Sequence, residues 1–339
     1  MVHTQRKLDH LRICLDEDVQ SASTTGLERY RFIHQALPKM ALADVDTATT
    51  FLGHRLRAPL LISAMTGGTD VALGVNRRLA QVAQAMGLAM GLGSQRAAIE
   101  DPRLIETYQV RCDAPDILLF ANLGAVQLNY GYGVEECSRV VESVGADALV
   151  LHLNPLQEAL QPEGNTNFVG LVDKIALVCR ALGKPVIVKE VGWGLSPSVA
   201  VALCEAGVAA LDIAGAGGTS WSEVERHRSA SAADAEVAQA FSGWGIRTAE
   251  ALVRVREACP ALPLVASGGI TDGVEVAKCL ALGAGLAGIA QPLLRPAMES
   301  AEAVKAKLGV VLRQLRVAMF CAGARTLADL DRTRLMPLS

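Results

Sequence analysis

The chain has 339 residues, of which 51% are hydrophobic, 20% charged and 4% aromatic, enough aliphatic material for a large core and too apolar for intrinsic disorder of the whole. Thirty-two Lys and Arg against 35 Asp and Glu leave a net charge of −3, too balanced for a general polyanion binder, so nucleic acid is not an expected partner. At roughly 150 residues per domain the length allows two domains, or one (β/α) barrel of about 250 residues with extensions.

In chain order, Met1–Lys7 runs straight into charge without the apolar core of a signal peptide, which points to a cytoplasmic protein. The eight cysteines are scattered singly with no C-x-x-C pair, as in a reducing compartment. If the first segment is helical, Arg6, Lys7 and His10 share one side at i, i+3 and i, i+4 spacing and form a compact anion clamp. Basic residues at a chain start also suit a plain solvated face, and Asp16-Glu17-Asp18 reads as surface. Residues 1–58 are expected to be an N-terminal extension and 59–339 a barrel with a closing helix and tail.

From there one pattern repeats: a short apolar run, a Gly-rich or polar loop, then an amphipathic stretch. The runs read as strands are Pro59–Ala64, Gly87–Gly91, Ile117–Asn122, Ala148–Leu153, Pro185–Glu190, Ala210–Ala214, Pro263–Ser267 and Leu286–Ala290. The intervening helices are Asn76–Met86, Val134–Val144, Phe168–Leu182, Ser196–Ala206, Thr248–Ala258 and Gly273–Leu282. Strands apolar on both faces and alternating with helices predict a parallel sheet, and eight such units predict a closed TIM (β/α)8 barrel, with a doubly wound open sheet as the alternative. Two charge-free stretches, Leu79–Gln95 and Cys279–Leu294, are short for a membrane span and suit buried strand and loop better. The segment Arg226–Gly245 reads as a mobile rim loop able to close over a substrate.

Loops after barrel strands share one rim, and the informative residues fall there. Ser267-Gly268-Gly269-Ile270 and Gly288–Gln291, after the last two strands, suit the phosphate of a flavin mononucleotide, because glycines let backbone N–H groups approach an anion. Lys189 ends the fifth strand facing the barrel mouth, where an inward lysine is either paired structurally or placed against a flavin ring edge, its charge stabilising an anionic reduced ring. Gly215–Thr219 lacks the Lys-Ser/Thr ending of a P-loop, and no G-x-S-x-G elbow is present. His152–Glu158 packs an imidazole, two amides and a carboxylate into seven residues. Its Glu158 suits Mg²⁺, an ion that takes one or two carboxylates plus substrate phosphates, and so suggests a diphosphate substrate.

Met65-Thr66-Gly67-Gly68, Gly93-Ser94-Gln95-Arg96, Asn122-Leu123-Gly124, His152–Glu158, Lys189-Glu190-Val191-Gly192, Gly217-Gly218-Thr219 and Ser267-Gly268-Gly269 together resemble the type 2, FMN-dependent isopentenyl-diphosphate delta-isomerases. The most specific segment is His-Leu-Asn-Pro-Leu-Gln-Glu. The resemblance implies a homo-oligomer, tetramer or octamer, carrying reduced FMN and Mg²⁺ with NADPH or NADH as reductant. It implies a redox-neutral 1,3-proton shift between isopentenyl and dimethylallyl diphosphates, with FMN as acid and base. Carried over, Ala64, Met65, Thr66, Ser94, Asn122, Lys189, Thr219, Gly268, Gly269, Ile270, Ala290 and Gln291 hold FMN. Arg6, Lys7, His10, Ser94, Gln95 and Arg96 grip the diphosphate, Glu158 binds Mg²⁺, and Gln157 stands at the reacting carbons beside His152 and Asn154. Two departures from the family are Thr271, where members often carry a phosphate-binding Arg, and Ala214, where many carry Ser. The rival readings are an FMN-dependent oxidoreductase on the same barrel and a non-catalytic flavin-binding assembly protein.

Overall fold

The computed structural model describes residues 2–338. Helix α1 (Val2–Asp16) comes first, then the short strands β1 (Tyr30–Phe32), β2 (Thr49–Phe51) and β3 (His54–Leu56). The barrel opens with β4 (Leu60–Ile62) and α2 (Asp70–Met86), β5 (Ala89–Gly91) and α3 (Arg96–Glu100), and β6 (Leu119–Gly124) and α4 (Val134–Ser143). It continues with β7 (Ala148–His152), α5 (Pro155–Leu160), α6 (Leu171–Ala181), β8 (Val186–Lys189) and α7 (Pro197–Glu205). Next come β9 (Ala210–Asp212), α8 (Trp221–Arg228), α9 (Ala232–Gln239) and α10 (Thr248–Ala258). It closes with β10 (Leu264–Ala266), α11 (Gly273–Ala281), β11 (Leu286–Ile289), α12 (Gln291–Glu299), α13 (Ala301–Ala322) and the tail strand β12 (Leu335–Pro337).

Strands β4 to β11 form a closed parallel barrel, with β11 pairing β4 (Leu60 against Ala287) and β9 pairing β10 (Leu211 against Leu264). Each predicted strand is present within a few residues, and closure removes the open-sheet alternative. The side-chain period of two explains the double burial: Leu61 packs in the barrel interior with Phe120, Ile187 and Val265, while Leu60 and Ile62 belong to the layer under the helices. The β2–β3 hairpin turns on Leu52 (φ 47°) and Gly53 (φ 80°), and delivers Phe51 and Leu56 into that interior cluster.

Helix α2 starts six residues before its expected beginning because the Thr69 side chain caps it, accepting from the Ala72 N–H at 3.1 Å. The expected rim loop Arg226–Gly245 is instead the end of α8, the whole of α9 and an anchored turn. Ser231 caps α9, Ala22 donates to the Ser242 carbonyl at 3.0 Å, and Ile246 donates to the Trp193 carbonyl at 2.8 Å. Its polar sequence hid α8, which buries Glu223 and Glu225 rather than an apolar stripe, and α9 is short, with Ala238 its buried residue. The tail strand β12 also escaped sequence reading; it pairs antiparallel with β1, setting Tyr30 against Pro337. No helix among the described residues is long and apolar enough to cross a membrane.

Candidate active site

The loops at the C-terminal ends of the barrel strands, together with α1 and α12, enclose a cavity of about 350 Å³. Every residue singled out above for flavin, substrate or metal lines it, with one exception. Gln95 is 1% exposed; its amide donates to the Val140 carbonyl at 3.0 Å and accepts from the Asn122 N–H at 3.1 Å. With both ends of the amide committed to backbone, its side chain braces the loop after β5 against β6 and α4 and is not a diphosphate ligand.

One wall is backbone. Gly217 (φ 123°), Gly268 (φ 102°) and Gly269 (φ 73°) occupy conformations that side chains rarely adopt. A Cβ on Gly268 would lie 2.1 Å from the Gly215 oxygen, and one on Gly218 would lie 2.5 Å from the Gly269 nitrogen. The N–H groups of Gly268 and Gly269 donate to no acceptor among the described residues, and both glycines face the cavity. Beside them α12 begins at Gln291 with no side-chain cap on its first N–H groups. Free N–H groups, a helix N-terminus and space that only glycine leaves fit the phosphate end of FMN. The Ser63 hydroxyl, buried in the same cavity without a partner, is a further polar group available to a ligand. Thr271 does not replace an arginine here: its N–H and hydroxyl both go to Glu275, at 2.7 and 3.0 Å. Ala214 adopts a left-handed φ of 39°, a conformation uncommon for any residue with a Cβ.

The opposite wall is a network of side chains. Glu225 of α8, 4% exposed, gathers His10 of α1 at 3.1 Å, the Gln157 amide at 3.2 Å, the Gln161 amide at 2.9 Å and the Arg228 guanidinium at 2.8 Å. Burial by itself raises this carboxyl, but the His10 hydrogen bond and charge and then Arg228 outweigh it and hold Glu225 down to about 2. Trp221 meets His10 edge-on at 5.1 Å. Arg6 reaches Gln161 at 3.0 Å, and Arg96 reaches Asn165 at 2.9 Å and Glu100 at 2.7 Å.

The same wall holds a second set of polar groups, at α5. Asn154 donates to Gln157 at 3.1 Å and to Glu158 at 2.9 Å, and the Asn165 N–H donates to the other Glu158 oxygen at 2.5 Å. The Gln157 amide is thereby held from both sides, by Asn154 and Glu225. The side-chain amide oxygen of Asn154, Oδ1, is buried without a partner. Among the described residues no group of three His, Cys, Asp or Glu could hold a metal. A cation at Glu158 would therefore complete its oxygen shell from a bound anion, which suits Mg²⁺ on a diphosphate.

His152 is pushed down to about 3, by burial first and then by the positive charges of Lys189, Arg6 and Lys7, so it is neutral at physiological pH. Its Nδ1 stands 2.9 Å from the Asn122 carbonyl oxygen, a pure acceptor, which puts the proton on Nδ1 and leaves Nε2 a lone pair. Lys7 is pulled down to about 7, by burial and then by Arg6. Lys189 donates to the Glu190 carbonyl, while the Glu190 carboxylate takes three backbone N–H groups, from Val191, Gly192 and Trp193, between 2.5 and 2.7 Å. Burial nevertheless raises Glu190 to about 7.

Sequence reading missed Glu225, Gln161, Asn165 and Tyr108, whose hydroxyl bonds Lys7 and the Ser94 carbonyl. The only local signal for Glu225 was its i, i+3 spacing to Arg228; nothing local linked it to His10.

A family model described as FMN-dependent dehydrogenase matches residues 11–103 and 165–337. The chain is 52% identical over 329 residues to isopentenyl-diphosphate delta-isomerase from Nostoc sp., covering 97% of this chain and 94% of that protein. It is 52% identical over 338 residues to the protein of that name from Stutzerimonas stutzeri, covering 98% and 97%. Among solved structures, a flavocytochrome b2 variant with pyruvate bound superposes with a TM-score of 0.69 at 17% identity, covering 96% of this chain and 82% of that one, a likeness of fold alone. Arg6, Lys7, His10 and His152–Glu158 lie outside the residues matched by the dehydrogenase model, whereas Gly215–Thr219 and Ser267–Ile270 lie inside them.

Proposed function

The chain belongs to the FMN-dependent isopentenyl-diphosphate delta-isomerases, and from that premise we propose how its own residues carry out FMN-dependent isomerisation of isopentenyl diphosphate. The reading is carried by one observation: a glycine-lined anion cradle and a cluster of Arg6, Lys7, His10 and Arg96 share a single cavity. The cradle, with Ala64, Met65, Thr66, Asn122, Lys189 and Thr219, takes FMN. The cations, with Ser94, take the diphosphate, and Glu158 takes Mg²⁺ shared with diphosphate oxygens. NADPH or NADH keeps the flavin reduced. Residues 1–58 serve as an extension that contributes the clamp to the barrel of 59–339, and the protein works in the cytoplasm as a homo-oligomer.

Bound reduced FMN supplies a proton donor and acceptor and an electron-rich ring beside the developing positive charge. The protein's part is to place the alkene and keep the site neutral around it. Gln157, whose amide neither gains nor loses a proton, orients the reacting carbons, and Asn154 and Glu225 hold that amide still. Neutral His152 presents an Nε2 lone pair to the cavity and adds no charge opposing a carbocation-like centre. The Lys189 ammonium stands with the flavin, where positive charge favours the anionic reduced ring.

The test is anaerobic incubation with FMN, Mg²⁺, NADPH and isopentenyl diphosphate in D₂O, followed by proton NMR. Deuterated dimethylallyl diphosphate formed in excess over NADPH oxidised is the expected result. NADPH consumed one for one with product would overturn the redox-neutral reading in favour of an oxidoreductase.

A further inference from the structure

Lys7 stands at the seam between α1 and the barrel. Two of its three N–H donors are committed within the protein, one to the Ser94 carbonyl at 2.9 Å and one to the Tyr108 hydroxyl. Tyr108 donates in turn to the same Ser94 carbonyl, at 2.8 Å. Ammonium, phenol and carbonyl thus close a triangle in which the carbonyl uses both lone pairs and the phenol both donates and accepts. Among the described residues no acceptor takes the third N–H of Lys7, and Lys7 lines the cavity.

The phenol in this triangle is not free to turn. Tyr108 is fully buried, and a Cβ on Gly67 would lie 2.0 Å from its ring. The preceding residue pins the same loop: Thr107 Oγ1 accepts the Gly68 N–H at 2.8 Å, and the Thr107 carbonyl accepts the Asn76 amide at 3.1 Å. The ring is thus packed against Gly67, and the residue before it is bonded to Gly68 and Asn76. A lysine on a helix surface ordinarily surrenders rotamer freedom when it grips an anion, whereas one already seated in a rigid triangle has lost that freedom beforehand.

We propose that Tyr108 is a positioning residue for the substrate diphosphate: its phenol fixes the Lys7 ammonium against the loop after β5, so that the remaining N–H is presented to the cavity. The inference rests on the reading of Arg6, Lys7 and His10 as the diphosphate clamp. Because the diphosphate lies away from the reacting carbons, its grip is the same in the ground and transition states, and loss of positioning falls on KM and spares kcat.

Tyr108→Phe keeps the ring packed against Gly67 and removes only the hydroxyl. In the FMN-loaded enzyme we expect KM for isopentenyl diphosphate to rise about tenfold, the scale of one hydrogen bond to a charged group, with kcat within about twofold. FMN affinity, read by flavin fluorescence titration, stays within about twofold. In a Lys7→Met background the Tyr108→Phe effect on KM disappears, because the hydroxyl acts through the ammonium. Lys7→Arg, made with Tyr108 intact, keeps the charge but not the point geometry, and raises KM nearly as much as Lys7→Met. That arm does not depend on how well Tyr108→Phe folds.

Unchanged KM in Tyr108→Phe, an equal fall in FMN affinity, an effect that persists without Lys7, or full rescue by Lys7→Arg would each overturn the inference. If instead Lys7→Met itself leaves KM unchanged, the clamp reading fails, and the inference falls with it.

Discussion

On the side of β9, β10 and β11 the cavity wall is backbone, shaped by glycines whose neighbours leave no room for a Cβ, and its donors are main-chain N–H groups. Facing it, α1, α5 and α8 build a wall of side chains in which His10, Gln157, Gln161 and Arg228 converge on the single carboxylate of Glu225. The first wall lies within the residues matched by the dehydrogenase model; Arg6, Lys7, His10 and His152–Glu158 of the second lie outside them. A backbone cradle depends on conformation and tolerates exchange of almost everything around it, whereas the side-chain wall can be rebuilt for another substrate without disturbing the cradle. The division is not complete, since Glu225 and Arg228 of the second wall lie inside the matched residues.

If the walls are separable, damage to each should leave the other's ligand bound. The largest effect is expected from Glu158→Gln, which removes the charge that would hold Mg²⁺: turnover falls roughly a thousandfold, as for other single electrostatic elements of a water-excluded site, while FMN affinity stays within about twofold. Steady-state rates against Mg²⁺ concentration, paired with a flavin titration, check it; parallel loss of flavin would break the separation. The converse is Gly268→Ala. Its methyl would meet the Gly215 oxygen at 2.1 Å in a backbone region closed to alanine, so FMN affinity falls about a hundredfold on a strain of about 3 kcal/mol. Equilibrium dialysis of FMN measures it, and undiminished affinity would remove the phosphate from this cradle.

Smaller is the pH response of the side-chain wall. Burial and Arg6 lower Lys7 to about 7, so above that pH the free enzyme loses an ammonium from the clamp. The alkaline limb of kcat/KM should descend from near pH 7, by at most about tenfold per unit for one proton, and should be absent in Lys7→Met. The same shift makes folding stability rise between pH 7 and the ordinary lysine range, because the unfolded chain binds the extra proton there. A profile flat to pH 9 would contradict this account of Lys7. The smallest effect is a gain: Thr271→Arg adds a cation beside the glycine cradle and should tighten FMN by about threefold, a modest figure because Glu275 competes for the guanidinium. No gain would mean that the backbone donors already satisfy the phosphate.

The eight barrel strands could be read from sequence because each is a short apolar run buried on both faces, as Leu60, Leu61 and Ile62 are, and the loops after them follow from the fold. The glycine wall was equally legible, since conformation restricts residue type position by position. The side-chain wall was legible only where its parts are near in sequence, as in His152–Glu158. Tyr108 looked like one more core aromatic, because its hydroxyl's partners, Lys7 and Ser94, lie 101 and 14 residues away. Glu225 lay in a polar stretch that resembles loop, because its helix buries charge instead of a hydrophobic stripe. Gln95 misled in the opposite direction: a polar residue on a rim loop that turns inward to brace β6 and α4.

The hydrogen bonds of α1 tie it to distant parts of the chain. Arg6 meets Gln161, 155 residues downstream, and His10 meets Glu225, 215 residues downstream. Beyond them, β1 pairs with β12 at the far end of the chain. Contacts of such long sequence separation close large loops, so they form later in folding than the local strand–helix contacts of the barrel. Under the proposed clamp, a chain with a formed strand–helix core and an undocked α1 lacks the groups that grip the diphosphate, so substrate affinity reports on the docking of one helix.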